Sequence, residues 1–422
     1  LLLALFAAAV FDLIFALARG GGLRGALHGL WNTPHLLFGQ QLAEWRLQFG
    51  RILFAAGLAA YEISVVFCNS MARQNWAWVQ GVMSPVLEWL AFLCFGAKIL
   101  FGTRYTWREL LAGGALYFIA RWVYFNSQNI WWIGIVVAVL GAKDVPLRRP
   151  LQVYFASGCA AMAVVLALHF AGIVAPDLTS ERMGALRGTY GYGHPNTFGG
   201  LVFGLVLAYA LLRAQKVRWV DCLLVFAVGV FLLVGPASRS AALCTLALAV
   251  GLVFCRLRAG HSVPRWWPGT CAGMVGLTAA VSYLLPLLVI KVGPWNNDIG
   301  PAWLAKLDSL LTCRISLTWM AYRLLDVKIA GQVFNWPTVD NSFAFALFQF
   351  GPVVAALLGI LFAAALWGHA KQGRRVEVCC LFAMLAYAYM EVQPFHLTTN
   401  PTALLLCGTV FAQTSARWQK IE

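Results

Sequence analysis

Long apolar runs alternate with short polar turns along almost the whole chain. A helix that crosses a bilayer needs about 20 apolar residues, and on that measure the pattern predicts twelve or thirteen membrane helices. They lie near residues 1–18, 50–68, 83–101, 108–125, 128–142, 152–174, 195–212, 218–235, 239–255, 267–290, 341–368, 376–391 and 400–415. Between the first two spans, Arg19 to Gln48 mixes glycines, basic residues and an amphipathic stretch around Trp45, which favours a segment along the membrane interface.

Composition agrees with this pattern. With 61% hydrophobic residues, 11% charged residues and a mean hydropathy of +0.75, the chain has too much apolar surface for a soluble protein. We therefore expect an all-α, polytopic integral membrane protein that forms one domain over residues 1–422. The eleven cysteines are scattered, mostly within apolar runs, so a disulfide framework or a zinc site is not expected. Residues 1–18 are predicted to be a membrane helix rather than a cleaved signal peptide.

The net charge of +15 reflects membrane topology and not nucleic-acid binding, because most basic residues fall in short turns between apolar runs. The main basic turns contain Arg104 and Arg108; Lys143, Arg148 and Arg149; Arg213, Lys216 and Arg218; Arg256 and Arg258; and Lys371, Arg374 and Arg375. Short basic turns are typical of the cytoplasmic side. Four polar segments then face outward: the loop 175–195, the hairpin 235–240, the long loop 291–340 and the segment 391–400.

The outer loop that ends in Arg187-Gly-Thr-Tyr-Gly-Tyr-Gly-His-Pro-Asn196 indicates a functional site. Ionisable side chains and irregular backbone at a membrane are tolerated where they are buried in protein or line an aqueous cavity. Arg239 is also unusual, since an arginine in a hairpin of about four residues opposes the positive-inside bias. The alternative for Arg239 is a side chain that snorkels to lipid phosphates or braces a helix end.

The order of these motifs resembles the bacterial polysaccharide polymerase and O-antigen ligase superfamily, and specifically the Wzy-type capsular or exopolysaccharide polymerases of Gram-positive bacteria. The resemblance spans roughly residues 80 to 410. It rests on Arg187, Gly191 and His194-Pro195-Asn196, on Ser238-Arg239-Ser240, on Asp340-Asn341-Ser342-Phe343, and on Gly351. In the long loop, Leu307-Asp308, Leu311-Thr312 and Arg314 also fit the pattern.

The resemblance implies a metal-independent glycosyltransferase with a GT-C-like fold and no cofactor, acting at the outer face of the bacterial cytoplasmic membrane. The donor is a growing glycan on undecaprenyl diphosphate, and the acceptor is a hydroxyl of the next lipid-linked repeat unit. A flippase and a chain-length regulator are the implied protein partners. A ligase that transfers the finished glycan to another acceptor is the alternative within the family.

A departing diphosphate requires fixed cations when no metal is present, and arginine binds phosphate oxygens in pairs. We assign this role to Arg187 and Arg239, whose motif positions contact phosphate in the related ligases, and third to Arg314. For Arg314 the alternative is an ordinary solvated loop charge. Together these arginines would stabilise the charge that develops in the transition state.

A general base must also accept the proton of the acceptor hydroxyl. Related ligases carry His-Asn where this chain has Asp340-Asn341, and we favour Asp340 over His194, Glu391 and His396. The alternative for Asp340 is a carboxylate that orients a sugar hydroxyl, and the alternatives for Glu391 are binding of an acceptor hydroxyl and pairing with an arginine. Sugar hydroxyls are assigned to Asn196, Asn341 and His396, and Asn196 is also expected to cap the helix that follows it. The alternative is that His194-Pro195-Asn196 only starts that helix.

Two further interpretations stay open. Trp295, Trp303 and Trp336 could stack on sugar rings, although aromatic residues at an interface are more often membrane anchors. A transporter or a flippase of lipid-linked oligosaccharides would also have many helices and buried charges such as Glu88. Such a protein would not need arginine, histidine and aspartate at one membrane face, and the sequence has no two-fold internal repeat of the kind common in secondary transporters.

Overall fold

The computed structural model describes residues 1–18, 22–174, 180–182, 185–289 and 300–411, and this part of the chain is almost entirely helical. The protein is an all-α polytopic membrane protein, as the apolar pattern predicts. Seven helical stretches in the described chain are long and apolar enough to cross a bilayer: Ala43–Cys68, Val79–Phe101, Arg148–Phe170, Pro195–Leu212, Arg239–Leu257, Trp267–Leu288 and Pro352–Lys371. Shorter apolar helical stretches are Leu2–Ala18, Ile130–Gly141, Trp219–Val234 and Pro401–Val410.

The α-helices of the described chain are numbered in order. They are α1 (Leu2–Ala18), α2 (Gly22–Asn32), α3 (Ala43–Cys68), α4 (Ala72–Asn75), α5 (Ser84–Phe101), α6 (Trp107–Ser127), α7 (Ile130–Gly141), α8 (Arg148–Phe170), α9 (Pro195–Leu212), α10 (Trp219–Val234), α11 (Arg239–Leu257), α12 (Trp267–Leu284), α13 (Ala302–Leu310), α14 (Arg314–Leu324), α15 (Ser342–Phe345), α16 (Pro352–Lys371), α17 (Arg375–Met390) and α18 (Cys407–Val410).

Short strands and tighter or wider helical turns complete the described chain. Strand β1 (His35–Leu36) pairs antiparallel with β2 (Arg104–Tyr105), and β3 (Ser180–Arg182) pairs with β4 (Ala185–Arg187). Turns of π-helix cover Val79–Met83 and Ala346–Phe350, and turns of 3₁₀-helix cover Leu285–Leu288, Gln393–Phe395 and Pro401–Leu406.

The chain pattern predicts twelve or thirteen spans, whereas seven helical stretches among the described residues are long enough to cross a bilayer. Three predicted spans illustrate the difference. The span predicted over 341–368 is wrong as one helix, because the chain breaks at Gly351 between a π-helical turn and α16. The span over 128–142 contains α7, whose 12 residues are too short to cross a bilayer. The span over 400–415 begins with a 3₁₀ turn, and its residues 412–415 lie outside the described chain. An apolar run in the sequence therefore does not show whether its helix crosses the whole bilayer or only part of it.

The helix break at Gly351 is held by a close contact with the segment that leaves α14. Gly331 and Gly351 both have positive φ values, of 75° and 88°. A β-carbon on Gly331 would collide with the carbonyl oxygen of Gln349, and one on Gly351 would collide with that of Ile329. The Gln332 amide also donates to the Gln349 carbonyl at 3.3 Å. Only glycine fits this crossing of two backbones.

A second close crossing joins α9 to the polar segment after α17. A β-carbon on Gly204 would lie 2.6 Å from the carbonyl oxygen of Thr398 and 2.8 Å from the hydroxyl of Tyr154. The Tyr154 hydroxyl itself donates to the Thr398 carbonyl, so α8 closes the same contact. This packing fixes the segment that follows α17 against the middle of α9.

The helix directions separate two ends of the molecule. α9 and α11 begin, and α10 and α17 end, at the residues of the sequence motifs. The opposite ends of the same four helices carry the basic turns around Arg213–Arg218, Arg256–Arg258 and Arg374–Arg375. The motif residues therefore lie at the end of the helix bundle remote from these basic turns, as the alternation of spans predicts.

Candidate functional site

The candidate site is organised around the carboxylate of Glu391, which lies just past the end of α17 and is 4% exposed. Its Oε1 accepts hydrogen bonds from Arg314 Nη2 at 2.6 Å, from Ser240 Oγ at 2.8 Å and from Asn196 Nδ2 at 3.1 Å. These donors come from α14, α11 and α9, which are remote in sequence. One buried carboxylate thus joins residues of three polar segments that the sequence places at a common face with the first turn of the helix that follows the fourth.

Arg314 is a fixed, buried cation. It is 7% exposed, and it donates to the carbonyl oxygens of Met390 and Leu311, the latter at 2.8 Å, as well as to Ser240 Oγ at 3.2 Å. The alternative of a solvated loop charge is therefore wrong. The first turn of α14 is held by buried Asp308, whose carboxylate accepts from the Ile315 backbone amide at 2.7 Å. Asp308 thereby sets the position from which the Arg314 side chain reaches Glu391.

Arg187 closes the other side of the cluster. It ends strand β4, is 7% exposed, and its Nη2 donates to Asn196 Oδ1 at 2.9 Å and to the Ala237 carbonyl at 3.1 Å. Asn196 therefore bridges Arg187 and Glu391, with its carbonyl oxygen toward the cation and its amide toward the carboxylate. Arg187 and Arg314 are held on opposite sides of one hydrogen-bonded network.

The start of α9 corrects one prediction. Asn196 does not cap the helix, because the helix begins at Pro195 and the N-cap is His194. The His194 Nδ1 accepts a hydrogen bond from the backbone amide of Asn196 at 3.1 Å. Asn196 lies inside the first turn, which leaves its side chain for the network. The His194 side chain is exposed. The expectation that this motif starts a helix is confirmed, and the same geometry also supplies a site residue.

Arg239 is placed differently from the other two arginines. It is the first residue of α11, its side chain is exposed, and among the described residues no hydrogen bond or ion pair holds its guanidinium. Its neighbours in sequence are nevertheless part of the network: Ala237 accepts from Arg187, and Ser240 bonds Glu391 and Arg314. Arg239 therefore stands at the rim between the two buried arginines.

Asp340 and Asn341 lie beside the network, and their roles differ. Asn341 is 4% exposed, caps α15 by accepting from the Phe343 amide at 2.9 Å, and donates to Ser282 Oγ at 3.0 Å. The next residue, Ser342, donates to the backbone carbonyl of Glu391 at 2.5 Å. Asp340 is only partly buried. Asn341 is thus held by the fold, whereas Asp340 keeps a solvent-accessible carboxylate next to the buried cluster.

Burial raises the pKa of Glu391 above its ordinary value, and the Arg314 guanidinium and the Ser240 hydroxyl act in the opposite direction. The charge of Asp340 adds to the increase, which shows that the two carboxylates sense each other. The ion pair at 2.6 Å favours the charged form of Glu391, but the desolvation of a carboxylate that is 4% exposed outweighs it. Two neighbouring carboxyl groups with different environments are an arrangement suited to proton transfer.

His396 is not part of the network. It is 9% exposed, its ring lies 3.7 Å from that of Trp131, and burial lowers its pKa to about 3. The imidazole is therefore neutral at physiological pH. Trp303 and Trp336 have exposed side chains at 55% and 63%, and Trp295 lies outside the described residues.

Sequence reasoning missed two contributors near the network. Tyr387 donates its hydroxyl to Gln393 Oε1 at 2.7 Å, and Gln393 Nε2 donates to the Asn196 backbone carbonyl at 3.3 Å. The only signal for Gln393 was its position in the polar segment 391–400. Tyr387 lies inside an apolar run, so nothing in the pattern distinguished it from a core residue.

An apolar cavity of about 100 Å³ lies inside the bundle next to this network. Ser342 and Asn400 line its polar side, and the remainder includes Trp132, Tyr283 and Phe395. Tyr283 and Phe343 also line a wider groove of about 690 Å³ along α12 and α16. Within the described chain, no group of three or more histidine, cysteine, aspartate or glutamate residues is arranged to hold a metal ion.

Comparisons with known proteins show a distant likeness. The chain is 24% identical over 291 residues to a protein of Sinorhizobium fredii (strain NBRC 101917 / NGR234) named uncharacterized transporter y4wD, and the match covers 64% of this chain and 73% of that protein. No family model matches the chain. No solved structure matches it either. Together with the fold, these comparisons show that the chain is a multi-pass membrane protein.

Proposed function

We propose that the protein is a polysaccharide polymerase that transfers a growing glycan from undecaprenyl diphosphate to a hydroxyl of a lipid-linked repeat unit. The single observation that carries the proposal is the network in which Glu391 joins Asn196, Ser240 and Arg314 from three remote segments. These segments are the ones on which the family resemblance rests. A network of this kind places fixed cations at one end of the helix bundle, where a lipid diphosphate would arrive.

In the proposed reaction, the acceptor hydroxyl oxygen attacks the anomeric carbon of the donor glycan. The bond between that carbon and the phosphate oxygen breaks, and undecaprenyl diphosphate leaves with the bonding electron pair. Asp340 accepts the proton of the hydroxyl, because its carboxylate is partly exposed while that of Glu391 is occupied by three donors. Glu391 instead positions Arg314 and, through Asn196, Arg187.

The arginines would neutralise the leaving diphosphate. Arg239, exposed at the rim between Arg187 and Arg314, is the residue best placed to meet the substrate first. Loss of one such electrostatic contact typically costs about 3 kcal/mol, or roughly a hundredfold in rate. The apolar cavity and groove beside the network are suited to the lipid portion of such a substrate.

The proposal is tested by reconstituting the full chain in vesicles with an undecaprenyl-diphosphate-linked repeat unit and separating the glycans by size. A ladder of repeat multiples is expected. Asp340→Asn should bind the donor normally and extend it slowly, and Arg239→Lys should lose most activity although it keeps the charge. Arg148→Lys is the matched control, because this exposed arginine begins α8 at the opposite end of the bundle.

Two other outcomes of the same assay contradict the polymerase or the role of Asp340. Release of the lipid carrier only when a different acceptor is supplied would mean a ligase. Equal ladders from the Asp340→Asn and Arg148→Lys variants would remove Asp340 as the base.

A transporter is the second candidate, and the likeness to a protein named as an uncharacterized transporter favours it. In this case the buried charges would bind a solute or a lipid-linked oligosaccharide during its passage. Vesicles that move the labelled lipid-linked unit across the bilayer, without forming longer glycans or releasing the carrier, would support the transporter and overturn the polymerase.

A further inference from the structure

A second cluster of basic residues surrounds a cavity at the end of the bundle opposite the Glu391 network. The cavity has a volume of about 570 Å³ and is bordered by Lys216, Arg218, Arg256, Arg374 and Arg375, with Glu377 as the one carboxylate of its lining. These side chains come from three separate places: the turn between α9 and α10, the last turn of α11, and the junction of the α16–α17 turn with the start of α17. Five cations face one carboxylate, so the cavity has an excess of positive charge.

The backbone around this cavity adds to its positive potential. α10 begins at Trp219 and α17 begins at Arg375, so the amino ends of two helices border the cavity. Amides at such ends favour anions, and at α10 the Asp221 carboxylate already accepts from the Arg218 backbone amide at 2.7 Å, so α17 offers the more open end. Glu377 lies in the first turn of α17 and is 7% exposed, and it offsets only part of the charge.

Arg375 has a structural role within the cluster. It donates to the carbonyl oxygens of Arg258 and His261 and so ties the start of α17 to the turn after α11. The side chains of Lys216, Arg218 and Arg256 are exposed, and that of Arg374 is partly exposed. The cavity therefore has a braced wall at Arg375 and several cations that a ligand can reach.

The apolar neighbours of these cations show from which direction a ligand can enter. Trp219, next to Arg218, is 52% exposed, and Leu257, next to Arg256, is 63% exposed. Exposed apolar side chains on membrane helices face lipid, so the cavity lies where the helix ends meet the headgroup layer. Basic pockets between membrane helices commonly bind anionic headgroups.

We propose that this cavity is a binding site for a phosphate-bearing ligand, distinct from the Glu391 network. α9 separates the two places by its 18 residues, a length of about 27 Å at 1.5 Å per residue. The same chemistry is offered by the headgroup of an anionic phospholipid and by a soluble phosphate or diphosphate. Arginine side chains from separate turns bind such a group through paired hydrogen bonds.

The test measures lipid and phosphate binding by the purified full chain in neutral detergent. Native mass spectrometry compares cardiolipin and phosphatidylglycerol with phosphatidylethanolamine, and thermal-shift measurements compare inorganic phosphate and diphosphate with chloride. The double variant Arg256→Gln/Arg374→Gln removes two cations and leaves the brace at Arg375. The control is Arg148→Gln/Arg149→Gln, which removes two exposed arginines that do not border this cavity.

Preferential binding of an anionic ligand is expected for the wild-type chain and for the control, with affinity about thirtyfold weaker in the cavity variant. This factor corresponds to two contacts of the strength usual for basic residues at an anionic surface. Binding of anionic lipids alone identifies a headgroup site, and binding of the soluble ions identifies a soluble phosphate ligand. Equal affinity in the cavity variant and the control would overturn the proposal.

A measurement on the unmodified chain covers the case in which the cavity variant fails to fold. Anion binding at a site with excess positive charge should weaken as the salt concentration rises. Preference for anionic lipids or phosphates that is unchanged between low and high salt would likewise overturn the proposal.

Discussion

The energetic coupling between Arg314 and Glu391 should be stronger than that of a partly exposed ion pair, and this can be measured without knowing the substrate. The two side chains are 7% and 6% exposed, and their nearest atoms are 2.6 Å apart. Removing one partner of a buried pair typically destabilises a protein by about 3–5 kcal/mol, because the other charge is left in a medium of low polarity. We expect a loss of this size for Glu391→Gln and for Arg314→Met.

The double variant should lose less than the sum of the two single losses. Once both charges are absent, the remaining cost is that of hydrogen-bonding groups left unpaired, at about 1–3 kcal/mol each. The difference is the coupling energy, which we expect to be several kcal/mol. Arg314→Met alone should regain stability as the pH falls, because protonation relieves a buried carboxylate whose pKa burial has already raised.

Equilibrium unfolding in mixed micelles, followed by the fluorescence of the 18 tryptophans, gives the four free energies of this cycle. The matched comparison is Arg213 with Asp221, an ion pair of 3.1 Å in which the arginine is 32% exposed and the aspartate is 5% exposed. Solvent screening should limit its coupling energy to about 1 kcal/mol or less. A coupling energy at Arg314 and Glu391 no larger than that at Arg213 and Asp221 would refute the reasoning.

Three further predictions concern the fold. Gly204→Ala should lower the unfolding free energy by about 1–3 kcal/mol through overpacking, whereas Gly276→Ala, where a β-carbon meets nothing within 4 Å, should not lower it; equal effects in the same unfolding assay would contradict the close crossing at Gly204. Asn341→Ala should cost about 1 kcal/mol through the loss of the cap of α15, and an unchanged unfolding midpoint would count against that cap. Burial lowers the pKa of His35, but its contacts with Asp12 and with the Thr33 carbonyl raise the pKa above 6.5 overall. The stability difference between the wild type and His35→Gln should therefore be full below pH 6.5 and vanish as the pH rises through the raised value; a difference that grows with pH would contradict this pairing.

The sequence predicts the class of the fold because the physical signal is repeated along the chain. Each apolar run is long enough to test against bilayer thickness, and the alternation of basic turns places the motif residues at one end of the bundle. The same signal is weak where helices are partial. Residues 346–350 contain four apolar residues and Gln349, and the Gly351-Pro352 pair, with the positive φ of Gly351, marks the break.

The sequence predicts which residues belong to the candidate site better than it predicts the contacts among them. Arg187 and Arg314 stand out as charges in an apolar chain, and both are buried in the network. The pairing of Glu391 with an arginine is confirmed, but its central position could not be predicted, because it depends on three donors from distant segments meeting one oxygen atom. The exposure of Arg239 could not be predicted from its neighbours either, because Ser238 and Ser240 on both sides of it are buried.

The crossing of Gly331 and Gly351 makes the chain between them a loop whose ends are held together by backbone contact rather than by a disulfide. Hydrogen bonds of Asn341 and Ser342 attach the second half of this loop to the bundle, at Ser282 and Glu391. Asp340 directly precedes these attached residues. The position of its carboxylate is therefore set by the attached residues that follow it, and a residue inserted between 332 and 339 should be accommodated before Asp340 while Asp340 keeps its place.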